Sequence, residues 1–406
     1  MKHLLLAAIL LFISSFSFGQ DPVSESEKID SSSVYRDYHI LIAPDYDIYN
    51  ASTNLRTGGK LLHDAFNRGI GPKIKNKTIR NVSEGIWSFA SIFSSMIWSH
   101  EFGHMLRARQ VGGSFHIKRY SFPVIHGRME LPYDHSLEDN ALTIVGGFEA
   151  NYLTVKDIQM DLYRYDKLYN DELSLSFAHR IMFPIYFTLI APVDPELPET
   201  WVNTMGDPVH WIKPVWKRSG REVFQPDGTV NPDLVRFYKR SALMSLFWNF
   251  ADLNFYREVG ASFSGSLGSR SASYIIGDNT NGWGYGTYFN TSIVGAEMNL
   301  TNYFRYKKRL YTLSGRYGFP FQNYGIGVGA YQIMNTKKYN VDLNLEMWSQ
   351  EYYGNGFAMT TNVNYNFYKH FDLLVQAGYK TEGYLIGRIL GRGFIGNVGL
   401  RYVLER

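Results

Sequence analysis

The feature that most constrains this chain is a change of period near residue 257. Beyond it, apolar and polar residues alternate one by one. Tyr339, Val341, Leu343, Leu345 and Met347 alternate with Asn340, Asp342, Asn344 and Glu346. Phe371, Leu373, Val375, Ala377 and Tyr379 alternate with Asp372, Leu374, Gln376 and Gly378. The same pattern runs through Tyr324–Ala330, Phe357–Phe367 and Phe394–Leu404. A period of two places each set on one face of a strand. Val259–Leu267, Tyr285–Leu300 and Arg309–Tyr317 are weaker candidates. Together they predict about eight strands, antiparallel because the connections are too short for crossovers.

These strands match the roughly 9–11 residues that a membrane-crossing strand needs. One face is apolar and aromatic, the other carries Asn, Asp, Glu, Gln and Gly, and Tyr, Phe and Trp gather near the ends. Charged residues make up 19% of the chain, below the ~25% of soluble domains, while 30 Tyr and 27 Phe raise the aromatic share. On this pattern roughly Val259–Arg406 resembles the outer-membrane β-barrels of Gram-negative bacteria, and the resemblance implies a membrane partner and an outer-membrane address. A soluble antiparallel barrel or sandwich carries the same alternation.

The N-terminus reads as an export signal. Lys2 supplies the positive region, Leu4–Phe12 the apolar core, and Ser17-Phe18-Gly19 the small residues before a cut at Gln20. Gly85–Ser99 and Ile181–Val193 are uncharged, but both fall short of the roughly 20 residues of a helical span. The chain has no Cys, which excludes disulfides, thiol nucleophiles, Cys-ligated zinc and iron–sulfur clusters. A net charge of +4 without a basic block gives no reason to expect nucleic acid.

Residues 81–256 have a helical period. Ile86, Phe89, Ile92, Phe93, Met96 and Ile97 recur at three and four, and Gly112-Gly113 follows Arg107 and Arg109 as a helix stop. Further helices are expected at Ala141–Tyr165, at Leu173–Leu189 with a kink at Pro184, and from Pro232 to Tyr256. The proline-rich stretch Pro192–Pro232 reads as mostly loop.

The first of these helices carries His100-Glu101-Phe102-Gly103-His104. Residues four apart share a helix face, so His100 and His104 can hold one Zn²⁺. Glu101 beside them can act as general base on a metal-activated water. Residues 99–109 resemble the active-site helix of zincin metallopeptidases. That family needs a third ligand. Gly146-Gly147-Phe148-Glu149 in the next helix is similar to the glutamate helix of gluzincins, with small glycines for close approach and Glu149 as the ligand. Asp134, His135, Glu138 and Asp139 are competitors. His126, Tyr133, His135 and His179 are weak candidates for stabilising an oxyanion, and His210 is a weaker ligand candidate.

The expected chain is therefore α+β. A signal peptide (1–19) and an N-terminal segment of loops with one possible strand (20–80) precede a helical metal-binding region (81–256) and an antiparallel β-barrel (257–406). The expected function is an exported, outer-membrane zinc metallopeptidase acting on a protein or peptide. A non-enzymatic barrel with a helical insert (channel, transporter or scaffold) is the alternative. An intramembrane zinc protease of the site-2 type is a third, disfavoured by the missing helical spans and the strand-rich half.

Overall fold

The computed structural model describes residues 36–42, 47–121, 124–190, 194, 196–203, 206–263, 270–273, 275–277, 281–307 and 309–405. The expected signal peptide lies outside these residues. Strand β1 (Arg36–Ile42) comes first, then α1 (Ile48–Asp64), whose cap Asp47 accepts from the Tyr49 N–H at 2.7 Å. Helix α2 (Lys77–Gln110) carries the His–Glu–His motif and stops where expected, with Gly112 at φ 77°. A hairpin of β2 (Ser114–Ser121) and β3 (Val124–Glu130) leads to α3 (Leu137–Tyr165). A capping box between Ser136 and Asp139 starts α3 one turn earlier than its apolar period indicated.

After β4 (Lys167–Tyr169), helix α4 (Asn170–Ile185) widens into a π-turn over Tyr186–Ile190, next to the Pro184 that removes a backbone donor. The stretch read as loop contains two helices, α5 (Pro198–Asn203) and α6 (Asp207–Arg218). Pro208 sits in the first turn of α6, where its fixed φ and missing N–H suit a helix start. Helix α7 (Pro232–Phe250) ends earlier than expected, and α8 (Leu253–Phe263) follows. The strand expected from Val259 is thus helical as far as Phe263, and the expected boundary at 256/257 falls inside α8.

The strands that follow are β5 (Arg270–Ala272), β6 (Ile276–Gly277), β7 (Asn281–Ser292), β8 (Gly295–Tyr306), β9 (Arg309–Phe319), β10 (Asn323–Asn335), β11 (Tyr339–Gln350), β12 (Gly354–Tyr368), β13 (Phe371–Lys380) and β14 (Gly393–Glu405). One antiparallel sheet of ten strands runs β1-β14-β13-β12-β11-β10-β9-β8-β7-β6. The expected barrel of about eight strands is corrected on two points. The sheet has ten strands, one of them the strand held possible in the N-terminal segment, and among the described residues no pairing joins its two ends.

The sheet stays open because side chains from helices occupy both edges. At the β1 edge, Asn54 accepts from the Leu41 N–H (2.7 Å) and donates to its carbonyl (2.8 Å). Thr57 accepts from the His39 N–H (2.9 Å), and Lys60 donates to the Asp37 carbonyl (3.0 Å). At the other end β6 covers only two residues of β7. Beyond them Tyr163 donates to the Tyr285 carbonyl (2.9 Å) and Arg180 to the Thr287 carbonyl (2.8 Å), while Asp252 accepts from the Thr287 N–H (3.1 Å).

The sheet exposes its apolar side chains and buries its polar ones. Ile326, Val328, Leu343, Met347, Met359, Phe394, Val398 and Leu400 are exposed. Asp342, Asp372, Glu297, Asn323, Asn397 and Arg401 are buried. The polar face looks onto α3, which is buried almost throughout between Ala141 and Val155. Arg164 of α3 pairs with Asp342 at 2.8 Å, and Lys156 with Glu346 at 3.7 Å. A polar cavity of about 220 Å³ remains between α1, α3 and the inner faces of β10–β14.

Candidate metal centre

Three glycines bring the motif helix and α3 together. A Cβ on Gly103 would lie 2.0 Å from the Gly146 carbonyl oxygen, and one on Gly146 would lie 2.4 Å from that of Gly103. A Cβ on Gly147 would lie 2.6 Å from His104 Nε2 and 2.7 Å from His100 Cε1. The close approach expected of these glycines is present, and it makes room for the two imidazoles.

His100 and His104 are buried, with their Nε2 atoms 3.1 Å apart. The third group is Asp207, at the start of α6. Its Oδ2 lies 2.8 Å from His100 Nε2 and 3.4 Å from His104 Nε2. These three are the one group of His and carboxylate donors, among the described residues, placed to share an ion. A tetrahedral Zn²⁺ with arms of ~2.0–2.1 Å sets its ligand atoms ~3.3 Å apart, close to all three separations. Burial opposes ionisation of the Asp207 carboxyl, but the charge of His104 and hydrogen bonds from both imidazoles hold it well below the usual carboxylate range.

The surrounding contacts orient both imidazoles. His104 Nδ1 is 3.0 Å from the Thr143 carbonyl, which can only accept. Nδ1 therefore carries a proton, and an ion at the centre would take the Nε2 lone pair in place of the proton that Nε2 turns toward Asp207. His100 Nδ1 lies 3.3 Å from the Asn151 side-chain amide, whose other end lies 2.9 Å from His179 Nδ1. Oxygen and nitrogen of such an amide exchange by a half-turn. The orientation with oxygen toward His100 matches an Nδ1–H tautomer with Nε2 free for a metal. Phe148 meets the His100 ring edge to face at 5.0 Å, and Tyr186 stacks on it at 5.3 Å.

Glu149 is not at this centre. It is fully buried, and both its oxygens accept from Arg107 at 2.7 Å. Tyr384 donates to it at 2.5 Å. One residue pair explains the correction. Arg107 stands a turn beyond His104 on the motif helix, and its guanidinium requires a buried counter-charge, which Glu149 provides. Asp207 takes the place expected for Glu149. The sequence signal for it was the Asp207-Pro208 pair, a helix-start pattern inside a stretch read as loop.

Glu101 is half-buried, next to His100 on the motif helix. Tyr186 also belongs to the site. Burial and the charges of Asp207 and Glu101 push its phenol up, so it remains a neutral donor. Of the expected oxyanion candidates, Tyr133 and His135 are exposed in the loop before α3. The side chain of His126 lies outside the described ones. His179 is buried and reaches the centre through Asn151. His210 is one turn along α6 from Asp207, and burial lowers its pKa.

No protein-family model, curated protein or solved structure matches the chain.

Proposed function

We propose that this protein is a zinc-dependent peptidase carried by an outer-membrane sheet. The observation that carries the reading is the convergence of His100 Nε2, His104 Nε2 and Asp207 Oδ2, with Glu101 on the same helix turn. His100, His104 and Asp207 would hold the ion. Bound there, Zn²⁺ supplies Lewis acidity for a carbonyl and lowers the pKa of a bound water toward about 7. Glu101 takes the proton of the attacking water and returns it to the departing amine. Tyr186 donates from its hydroxyl to the carbonyl oxygen as negative charge builds on it. The Thr143 carbonyl accepts from His104 Nδ1 and so leaves its Nε2 to an ion, and a half-turn of the Asn151 amide, which now sets its nitrogen toward His100 Nδ1, would do the same for His100.

The membrane address is supported by the two faces of the sheet. Apolar side chains point out and charged pairs point in, the polarity of a lipid-facing wall around a wet interior. No helix among the described residues is long and apolar enough to cross a membrane, so any crossing falls to strands.

The test is the metal content of the purified chain. About one zinc per chain is expected in the wild type and in Glu101→Gln, and little in His100→Ala or Asp207→Ala. Peptide hydrolysis lost in Glu101→Gln with zinc retained completes the case. A wild type that takes up no zinc overturns it. The polar cavity behind the sheet favours a second reading, a non-enzymatic channel or transporter, in which Glu101→Gln leaves function intact.

A further inference from the structure

Lipid contains nothing that can hydrogen-bond a bare strand edge, so an open sheet in a membrane must have its edges satisfied by the protein. This sheet has that property without closing on itself. Asn54, Thr57 and Lys60 complete the β1 edge, and Tyr163, Arg180 and Asp252 complete the β7 edge. Between the two edges the helices form an unbroken series. β1 packs on α1, α1 on α2, α2 on α4, α4 on α7 and α8, and α7 on β7 and β8.

The outer faces of these helices are apolar in stripes. On α2, Ile79, Val82, Ile86 and Phe89 are exposed at helical spacing. On α1, Leu61 and Leu62 are exposed, and on α7, Leu243, Phe247 and Phe250. The stripe on α7 is confined to its C-terminal half. Ser241–Phe250 has no charged residue, whereas Arg236, Lys239 and Arg240 on the preceding turns are exposed. Such a boundary is what a helix surface shows where it leaves an apolar medium for water. The stripes also continue the apolar face of the sheet, through Ile40 and Ile42 of β1 beside α1 and Leu300 and Phe304 of β8 beside α7.

We propose that the lipid-facing wall of this protein is a composite. The ten-stranded sheet forms most of it, and α1, the N-terminal half of α2 and the C-terminal half of α7 complete it across the gap between β1 and β7, with their apolar stripes against acyl chains. Side-chain caps on both strand edges stand in for the hydrogen bonds that closure would otherwise make. The inference rests on the membrane reading of the sheet and extends it to the helices.

The chain has no native Cys, so single spin labels can be placed without removing any residue. Ile326→Cys and Leu343→Cys report on the sheet, Val82→Cys and Phe247→Cys on the helical part, and Arg236→Cys on a water-exposed position. The labelled chains are reconstituted in phosphatidylcholine vesicles, and collision with oxygen is compared with collision with a water-soluble nickel complex. The expected result is an oxygen-to-nickel ratio at the first four sites several-fold above that at Arg236. If Val82 and Phe247 are wet, or immobilised against protein, while Ile326 and Leu343 face lipid, the composite wall is wrong and the membrane reading stands. If Ile326 and Leu343 are also wet, both fail.

Discussion

Removing Glu149 separates two roles that the sequence alone left confounded. Arg107 and Glu149 have no exposed side-chain surface, and their two hydrogen bonds are both 2.7 Å. Arg107 also donates to the Arg388 carbonyl at 2.8 Å and to Gln110 at 2.6 Å. Glu149→Ala leaves a guanidinium in the interior without its counter-charge and strips Tyr384 of its acceptor. Breaking a buried pair from one side costs about 3–5 kcal/mol. At roughly 2–4 °C per kcal/mol for domains of 150–250 residues, the thermal midpoint falls on the order of 10 °C. The double variant Arg107→Met/Glu149→Leu removes both charges and recovers most of this, because an apolar pair of similar volume is often as stable as the ions it replaces. Thermal unfolding in detergent of wild type, Arg107→Met, Glu149→Leu and the double gives the coupling, and elemental analysis gives the zinc. Glu149→Ala is expected to be destabilised yet to bind zinc once folded at low temperature. Zinc lost at unchanged stability would show that Glu149 is a ligand and that the pairing argument is wrong.

Other consequences are sharper at the centre itself. Asn151→Leu keeps the volume but removes the amide that orients His100, and zinc affinity measured by chelator competition is expected to fall about 10–100-fold. Gly147→Ala drives a methyl into both imidazoles, so zinc affinity falls while the fold persists; unchanged affinity refutes the stated packing. Gly103→Ala meets the Gly146 backbone instead, which cannot yield as a side chain can, and a destabilisation larger than about 3 kcal/mol is expected from unfolding curves. In zinc-free protein, the Asp207 carboxyl lies below its unfolded value. Its contribution is therefore whole above about pH 4 and drains away as the pH falls further. Asp207→Asn should flatten that part of the acid-unfolding profile, and an unaltered profile rules the contribution out.

Much of this was legible before the structure. Period-two alternation located β10 to β14 because one side of each faces a charged interior and the other does not; the weaker candidate Arg309–Tyr317 falls in β9, whereas Tyr285–Leu300, read as one strand, is divided between β7 and β8 by a turn at Ile293-Val294. The apolar period and the glycine stop located the motif helix. What escaped notice depends on contacts distant in sequence. A strand was held possible in residues 20–80, but its place, Arg36–Ile42, and its partner, β14, were not legible from so short a segment. Helix α6 was hidden by its prolines, which propensity counts as breakers but which Pro208 shows are tolerated in a first turn. Glu149 was misplaced because the glycines before it gave the right helix crossing but not which side chain would turn toward Arg107. His100 and His104 were readable from spacing alone; Asp207 could be joined to them only once three helices were packed.

The pairing of β1 with β14 sets Arg36 opposite Glu405 and Ile42 opposite Val398, so the earliest and the latest strands of the described chain are neighbours. During synthesis every other pair in the ten-stranded sheet can zip locally, while this one must wait for the last. Contacts of such sequence separation form slowly, because loop closure precedes any reward. Until then the β14 side of the sheet presents bare amides and carbonyls, the surface on which chains join one another. A chain stalled or cut before residue 393 is therefore a chain with a permanently unfinished edge, and aggregation during biogenesis is its natural fate.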